Sequence, residues 1–313
     1  MGGGHYDREA HVEATTTRAA LPTQEVFRET KLHPDMNPFG VDVRESRDSP
    51  AHPDSIGIMF FMDETASMGH IPPFLAQHEK GLASFMGMII DGKYVNDPQV
   101  FFGAIGDAVQ DHREQSPLQV GQFESEAHLM DKWLTHIHLE RMGGGNEGES
   151  YDMAFYFAAR HTSMDCWEKR GRKGYLFITG DEPPLKCVSA KAVRERCGDD
   201  IRKDIPIADI VEEASKTFHA FYLIPDQHRA QNCERPWRNV MGDRVICMET
   251  HEDTSAVAAT LIGLTEGTLA DLDAAGATLK KLGLDSGQIN RVIRTVEPYA
   301  ASIGRGGSNR PTE

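Results

Sequence analysis

The sequence predicts an α/β protein whose central sheet is doubly wound and mostly parallel, with one antiparallel edge strand. Two observations support this prediction. Continuous apolar segments of strand length, above all residues 56–62 and 173–179, have too few polar side chains for a strand with one solvent-facing side, so they fit a sheet covered on both faces. Helical patterns separate these segments, and this alternation is typical of parallel sheets wound through helices.

The chain has room for one α/β domain with extensions at both ends, because its 313 residues exceed the roughly 200 that such a domain needs. Residues 1–53 carry five prolines and no sustained helix or strand period apart from a short helix near residues 24–30, which predicts an arm or an irregular cover. We place the domain at residues 54–265, a C-terminal helical extension at 266–302 and a disordered tail at 303–313.

The first half of the domain begins with the buried strand, and a helix with Pro72 and Pro73 in its first turn follows. The next two strand patterns are close in the chain, and we expect them to pair antiparallel at the sheet edge. The predicted elements are a strand at 56–62, a helix at 72–90, strands at 99–105 and 118–123, and helices at 126–139 and 150–162.

The second half of the domain alternates strands and helices around a polar segment, residues 225–243, that we predict to be a loop. Trp237 in this segment either packs on the domain or belongs to a recognition surface, and we favour packing. The other predicted elements are strands at 173–179, 217–224 and 244–248, helices at 189–196, 207–216 and 255–264, and two helical stretches at 269–282 and 289–296 that dock on the domain or on a partner.

Charge argues against one class of partner. The chain has 48 Asp and Glu residues against 33 Lys and Arg, for a net charge of −15. Nucleic-acid binding relies on clustered cations that neutralise phosphates. We therefore expect no nucleic-acid partner.

The compartment is predicted from apolar runs and cysteines. No window approaches the about 18 apolar residues of a membrane-spanning helix, and the first ten residues lack the features of a signal peptide. The five cysteines form an odd set without C-x-x-C spacing, which favours reduced thiols over disulfides or a zinc site. We expect a soluble, cytoplasmic protein with no membrane partner.

A polar motif directly follows the first strand. Asp63, Thr65 and Ser67 stand at alternate positions in a turn at the carboxyl end of residues 56–62, where open α/β sheets place their ligands. One carboxylate and two hydroxyls form a hard-oxygen set suited to Mg²⁺. The alternative is a helix-capping turn, in which hydroxyls bond the first amides of the next helix. Context favours the metal, because two further oxygen-bearing loops follow downstream.

These two loops contain glycine and acidic residues. Residues 143–150 read G-G-G-N-E-G-E-S and lack the Lys-Ser or Lys-Thr ending of a P-loop, which excludes nucleotide binding there. Residues 180–184 read G-D-E-P-P, and the rigid prolines fix Asp181 at a strand end, where it is suited to bind a metal through water.

Two further groups of residues have both a metal interpretation and a structural one. Asp107 and Asp111 lie in the loop between neighbouring strands and either support a second cation or form a turn, of which we favour the turn. His136 and His138 either bind a metal or belong to the solvated face of a helix, and we favour the helix.

Three segments, D-E-T-A-S-M-G, G-G-G-N-E-G-E-S and L-F-I-T-G-D-E-P-P, resemble in order, strand context and spacing those of a von Willebrand factor type A (vWA) domain with a metal-ion-dependent adhesion site (MIDAS). The likeness is to the intracellular type found in bacterial and phage gene sets and covers residues 54–265. Ala66 departs from the glycine common in the family, and Asn146 stands where Asp is frequent.

The resemblance implies a Rossmann-like vWA fold and a Mg²⁺ site, with Mn²⁺ as an alternative ion. Its ligands would be Asp63, Thr65, Ser67, Glu149 and Asp181. Glu149 is the residue that motif alignment gives for the second loop, and Ser150 is the alternative. Without the resemblance, the sequence indicates only that Glu149 is an acidic residue at the start of a helix, where its charge interacts favourably with the helix dipole.

The leading functional hypothesis is a Mg²⁺-dependent protein-binding module without enzymatic activity. A partner's Asp or Glu would complete the metal coordination, and the resemblance implies a role as an adaptor for an ATPase or as a component of a larger assembly. One alternative is a metal-assisted hydrolase or phosphatase, for which His70 is the nearby candidate base. Another is an assembly protein that binds through its arm and its helical extension.

Overall fold

The computed structural model describes residues 4–65, 67–106, 117–139 and 148–306 of the chain. Within these residues, six strands form a central sheet and four others form two small two-stranded sheets. In chain order the strands are β1 (Arg44–Ser46), β2 (Ser55–Asp63), β3 (Asp97–Ile105), β4 (Leu118–Val120), β5 (Thr162–Met164), β6 (Gly174–Thr179), β7 (Cys187–Val188), β8 (Ile205–Pro206), β9 (Phe218–Ile224) and β10 (Val245–Cys247).

The central sheet confirms the predicted fold class. Its strand order is β10–β9–β6–β2–β3–β4, and its neighbours are parallel except for the antiparallel pair β3 and β4 at one edge. The chain enters the sheet at β2, winds outward through β3 and β4, and then returns to β6 on the other side. The two directions of winding therefore meet between β2 and β6, and ligands of open α/β sheets bind at such a switch point.

Strand β2 is the centre of the hydrophobic core. All nine of its residues are buried, and it pairs with β3 along its whole length and with β6 from Ile58 to Met62. The ring of Phe60 lies 5.0 Å from that of Phe177 and 6.1 Å from that of Phe102, so the three strands share one aromatic row. Burying one such side chain contributes about 1.5–3 kcal/mol. This packing fixes the carboxyl ends of β2 and β6 relative to each other.

Helices connect and cover the strands. In chain order they are α1 (Arg8–Ala19), α2 (Thr23–Val26), α3 (Ile71–Gln77), α4 (Leu82–Asp91), α5 (Ala127–Thr135), α6 (Tyr151–Arg160), α7 (Asp165–Glu168), α8 (Ala190–Arg196), α9 (Ile207–Thr217), α10 (Gln227–Met241), α11 (Thr254–Glu266), α12 (Leu272–Lys281) and α13 (Ser286–Ser302). Among the described residues, none of these helices is long and apolar enough to cross a membrane.

The single helix predicted at residues 72–90 is wrong, because the chain forms α3 and α4 with a turn between them. Gly81 explains the break. A Cβ atom at this position would lie 2.4 Å from the carbonyl oxygen of Leu75 and 2.6 Å from that of Phe74. The chain can fold back so closely only where no side chain is present, so the apolar period continues through two helices.

The polar loop predicted at residues 225–243 is also wrong, because the segment forms helix α10. The carboxylate of Asp226 caps the helix by accepting hydrogen bonds from the backbone N–H groups of its first turn. The buried residues of the helix recur at helical spacing within a mostly polar sequence: Ala230, Cys233, Trp237 and Met241. Trp237 is fully buried and stacks on Tyr222 with 4.2 Å between ring centroids, which confirms the packing interpretation.

The N-terminal arm contains a helix that the sequence pattern did not reveal. The residues that α1 buries are polar, His11 and Thr15, so no apolar period marks the helix. Asp131 on α5 accepts hydrogen bonds from Arg18 at 2.7 and 2.9 Å and lies 3.2 Å from the Nε2 atom of His11. Residues 44–46 of the arm form β1, which pairs with β5 outside the central sheet.

The C-terminal extension docks on the domain. Arg291 of α13 donates hydrogen bonds to both carboxylate oxygens of the buried Asp253, at 2.7 and 3.0 Å. Val292 and Val296 of the same helix are fully buried, and the ring of Tyr299 meets that of Phe221 at 5.0 Å. The structure describes the chain as far as residue 306, so most of the predicted disordered tail lies outside the described residues.

Candidate metal centre

The first loop brings its three predicted ligands together at the carboxyl end of β2. The carboxylate of Asp63 is fully buried, and its Oδ1 atom accepts hydrogen bonds from the backbone N–H of Thr65 at 3.0 Å and from the Thr65 hydroxyl at 2.6 Å. The hydroxyls of Thr65 and Ser67 are 3.4 Å apart. Ser67 is exposed, so these oxygens are reached from solvent on its side.

Glu149 and Asp181 present buried oxygens that lack a hydrogen-bond partner. Among the described residues, the Oε2 atom of Glu149 and the Oδ1 atom of Asp181 are buried and unpaired. Buried polar atoms are nearly always paired, so two unpaired carboxylate oxygens call for an ion or a water. The second loop thus presents a carboxylate oxygen of Glu149, and Ser150 beside it is buried, with its backbone N–H donating to the carbonyl of Gly106.

The carboxylates of the three loops influence one another. Burial, together with the negative charges of Asp63, Glu182 and Asp181, raises the pKa of Glu149 to about 8. Burial also raises the pKa of Asp63 to about 7, with a further rise from Asp181, against hydrogen bonds from Thr65 and Tyr151 that lower it. The three predicted carboxylate ligands therefore form one electrostatic cluster at the switch point between β2 and β6.

Tyr151 connects the three loops, a role that no pattern in the sequence indicates. Its hydroxyl donates to the Oδ2 atom of Asp63 at 2.5 Å and accepts from the backbone N–H groups of Asp181 at 3.2 Å and Glu182 at 3.4 Å. Burial raises the pKa of Tyr151 well above its ordinary value, so the phenol stays protonated and donates. A Cβ atom at residue 180 would lie 2.5 Å from the Tyr151 ring, which explains Gly180.

Arg229 is a second site residue that sequence reasoning missed. It lies in the first turn of α10, the segment predicted as a loop. Its Nε atom donates to the Oδ2 atom of Asp181 at 3.1 Å, and its Nη2 atom donates to the carbonyl of Ser67 at 2.9 Å. It also forms an ion pair with Asp226 on its own helix. The guanidinium therefore joins the first and third loops.

The remaining candidates have no hydrogen bond to Asp63, Glu149 or Asp181 in the described part of the chain, or lie outside it. The ring of His70 packs edge-on against that of His251, with 4.6 Å between centroids. The ring of His136 stacks on that of His33 at 4.1 Å, and the backbone of His138 hydrogen-bonds Gln119. The residues outside the described part are Ala66, Asp107, Asp111 and Asn146.

The donor set fits a small hard cation that depends on hydroxyls and outside ligands. Among the described residues, no three His, Cys, Asp or Glu side chains are placed to hold a metal ion by themselves. A cation here would need the Thr65 and Ser67 hydroxyls beside Asp63, with its other positions filled by water or by an outside oxygen. Mg²⁺ is commonly bound in this way, through one or two carboxylates and several waters.

Comparison with known proteins gives distant structural likeness. No family model matches the chain, and no curated protein does. Solved structures that resemble it include the pilus adhesin SpaC from Lactobacillus rhamnosus GG, at 12% identity and a TM-score of 0.43 over 70% of this chain. Another is a von Willebrand factor type A protein from Catenulispora acidiphila, at 12% identity and a TM-score of 0.37 over 77% of this chain. The chain spans 32% and 52% of their respective lengths.

Proposed function

We propose that this chain is a Mg²⁺-dependent protein-binding module of the vWA type with a MIDAS. Asp63, Thr65 and Ser67 hold the cation, Glu149 and Asp181 complete or steady the site, and an Asp or Glu of a protein partner supplies a further oxygen. The observation that carries this proposal is the convergence of carboxylates from three loops at the sheet's switch point: Asp63 and Asp181 are buried, Glu149 is half-buried, and the buried oxygens Oε2 of Glu149 and Oδ1 of Asp181 are unpaired among the described residues.

The chemistry of the donors favours an anionic partner group. Hydroxyl ligands carry no charge, so Thr65 and Ser67 leave the cation more electrophilic than two further carboxylates would. The exposure of Ser67 gives an outside carboxylate access from solvent. We place the module in the cytoplasm as an adaptor or assembly component, for which an ATPase or another large assembly is the proposed kind of partner.

Binding is favoured over hydrolysis because a hydrolase needs a base beside the ion. Burial and the neighbouring His251 lower the pKa of His70, so its imidazole is neutral at pH 7 and could accept a proton. In the described part of the chain, however, His70 has no hydrogen bond to Asp63 or Asp181, and its ring packs on His251. We therefore expect phosphoester and peptide hydrolysis to stay at background in Mg²⁺.

Calorimetric titration with Mg²⁺ and Mn²⁺ tests the proposal. The Asp63→Ala and Ser67→Ala variants should lose or weaken binding while their circular dichroism stays native, because both residues stand at the carboxyl end of β2 and neither substitution alters an apolar side chain of the core. Asp200→Ala, which removes an exposed carboxylate elsewhere, is the matched control and should bind as the unaltered chain does. Undiminished metal binding by Asp63→Ala, or hydrolysis that disappears in that variant, would overturn the proposal.

A further inference from the structure

Arg229 places a positive charge among the candidate ligands. Its guanidinium donates to the carboxylate of Asp181 and to the carbonyl of Ser67, at 3.1 and 2.9 Å. Arginine remains charged throughout the physiological pH range, so this charge does not depend on a proton equilibrium. The Arg229 side chain is 29% exposed, so it lies at the rim of the site and not deep within it.

The charge matters because the site is rich in carboxylates. Asp63, Glu149 and Asp181, when all ionised, carry one negative charge more than a divalent cation neutralises. A centre with that balance would repel a second anion, although the proposed partner group is a carboxylate. Arg229 adds one positive charge that offsets the excess of these three carboxylates, and its Nε atom donates directly to the carboxylate of Asp181.

The two oxygens of the Asp181 carboxylate have different surroundings, which supports the same conclusion. Its Oδ2 atom is held by Arg229, whereas its Oδ1 atom is buried and has no hydrogen-bond partner among the described residues. Arg229 therefore leaves one oxygen available to a cation or to its water and fixes the orientation of the other. A bidentate approach of Asp181 to the cation would break the contact with Arg229.

Asp226 does not cancel this effect. Its carboxylate pairs with Arg229, but the same carboxylate also accepts hydrogen bonds from the backbone N–H groups of His228 at 3.0 Å and Arg229 at 2.9 Å. The amino-terminal end of α10, where the helix dipole is positive, therefore compensates part of the negative charge of Asp226.

We propose that Arg229 determines the ligand preference of the metal centre, by supplying the charge that lets a cation held by three acidic loops accept an anionic oxygen. This inference rests on the proposed function and adds a residue to it. Arg229 is a positioning and specificity residue for the outside ligand, not a ligand of the cation. Its loss should therefore have opposite consequences for the cation and for the anion.

The test uses Mn²⁺ as the metal and acetate as the anion, with the full chain. Water-proton relaxivity of the Mn²⁺-loaded protein falls when acetate displaces a bound water, and acetamide serves as the uncharged probe of the same shape. Arg229→Gln should bind Mn²⁺ as tightly as the unaltered chain or more tightly, because a repelling charge is gone. In this variant, the acetate concentration needed to displace the bound water should be on the order of tenfold higher than in the unaltered chain.

Two further variants separate charge from structure. Arg235→Gln removes the same charge from an exposed position on the same helix and should leave both affinities unchanged. Arg229→Lys keeps the charge but not the fork of donors, and it should retain most of the preference for acetate over acetamide.

The outcomes distinguish this inference from the proposed function. Equal weakening of Mn²⁺ and acetate binding in Arg229→Gln would show a merely structural role, and unchanged acetate binding would show no role, so either result overturns the inference. Both would leave the metal centre in place. Mn²⁺ binding that survives Asp63→Ala would instead overturn the proposed function.

Discussion

The hydroxyl of Tyr151 contacts both the first and the third loop of the candidate metal centre. It donates to the carboxylate of Asp63 and accepts from two backbone N–H groups that follow β6. The bonds to Asp63 and to the Asp181 amide are buried, so neither of these two partners regains a hydrogen bond from bulk water when the hydroxyl is absent. Tyr151 therefore holds the buried carboxylate in place in the metal-free protein.

Tyr151→Phe should lower the free energy of unfolding by about 1–3 kcal/mol, because it leaves a buried carboxylate oxygen of Asp63 and the buried amide of Asp181 unpaired. Tyr94→Phe is the matched control. The Tyr94 hydroxyl is buried and has no hydrogen-bond partner among the described residues, so its removal should cost nothing or stabilise the fold. Urea denaturation of both variants without metal measures the difference, and equal losses would show that the Tyr151 contacts do not stabilise the site.

Single residues also show how far the sequence can predict the site. Asp63, Thr65, Ser67 and Asp181 were found because oxygen-bearing residues at strand ends are visible in the chain, and the structure does bring their loops together. Whether they bind a metal remains a prediction. Tyr151 and Arg229 could not be found in the same way, since their roles depend on neighbours 88 and 48 positions away in the chain.

At the scale of whole elements, prediction succeeded where an apolar pattern reports burial. Strands β2, β3, β6 and β9 are continuous apolar runs, and each lies in the central sheet. Prediction failed for α1 and α10, since α1 buries polar side chains and α10 is polar overall, with Pro236 inside it. Tertiary contacts, and not local pattern, decide the structure of such segments.

The turn between α3 and α4 gives a test at this scale. Gly81→Ala should lower the free energy of unfolding by about 1–3 kcal/mol, because the new Cβ atom would overlap backbone carbonyl oxygens that cannot move independently. Gly276→Ala should raise it by about 0.5–1 kcal/mol. That glycine lies inside α12, where a Cβ atom meets its nearest neighbours at 3.8 and 4.0 Å. Chemical denaturation of the pair checks both signs, and a neutral Gly81→Ala would contradict the account of the break.

Across the whole molecule, both extensions are integrated with the α/β domain. The arm reaches α5 through Arg18 and Asp131, and the extension reaches α11 through Arg291 and Asp253. The sequence left the docking of the extension open because amphipathic helices fit a partner as well as their own domain. The limits placed at residues 53 and 265 remain a prediction, since contacts continue across both of them.

The pH dependence of stability is a property of the whole molecule that the candidate centre should dominate. Asp63 and Glu149 have ordinary pKa values of 3.8 and 4.5 and folded-state values of about 7 and about 8. The folded state therefore holds more protons than the unfolded state between these limits, and the contribution of these groups to stability falls as pH rises through this range. Asp152, raised to about 7 by burial, adds to the same slope.

Mg²⁺ should reverse this loss, because the cation binds the ionised carboxylates. We expect Mg²⁺ to raise the midpoint of thermal unfolding more at about pH 8.5 than at about pH 5.5. Glu149→Gln should reduce the difference in this rise between the two pH values, whereas Asp152 contributes the same slope with and without Mg²⁺ and therefore cancels from the comparison. Thermal denaturation with and without Mg²⁺ measures the effect. An equal rise in the midpoint of thermal unfolding at both pH values, or a rise that persists in Asp63→Ala, would contradict the assignment of the metal ligands.

The position of a bound cation tests the central claim most directly. Anomalous diffraction from crystals of the chain soaked in Mn²⁺ locates the ion without reference to activity or partner. The account predicts a peak at the carboxyl end of β2, about 2.1 Å from an oxygen of Asp63 and from the hydroxyls of Thr65 and Ser67. No peak at these oxygens at saturating Mn²⁺, or a peak held by other residues alone, would contradict it.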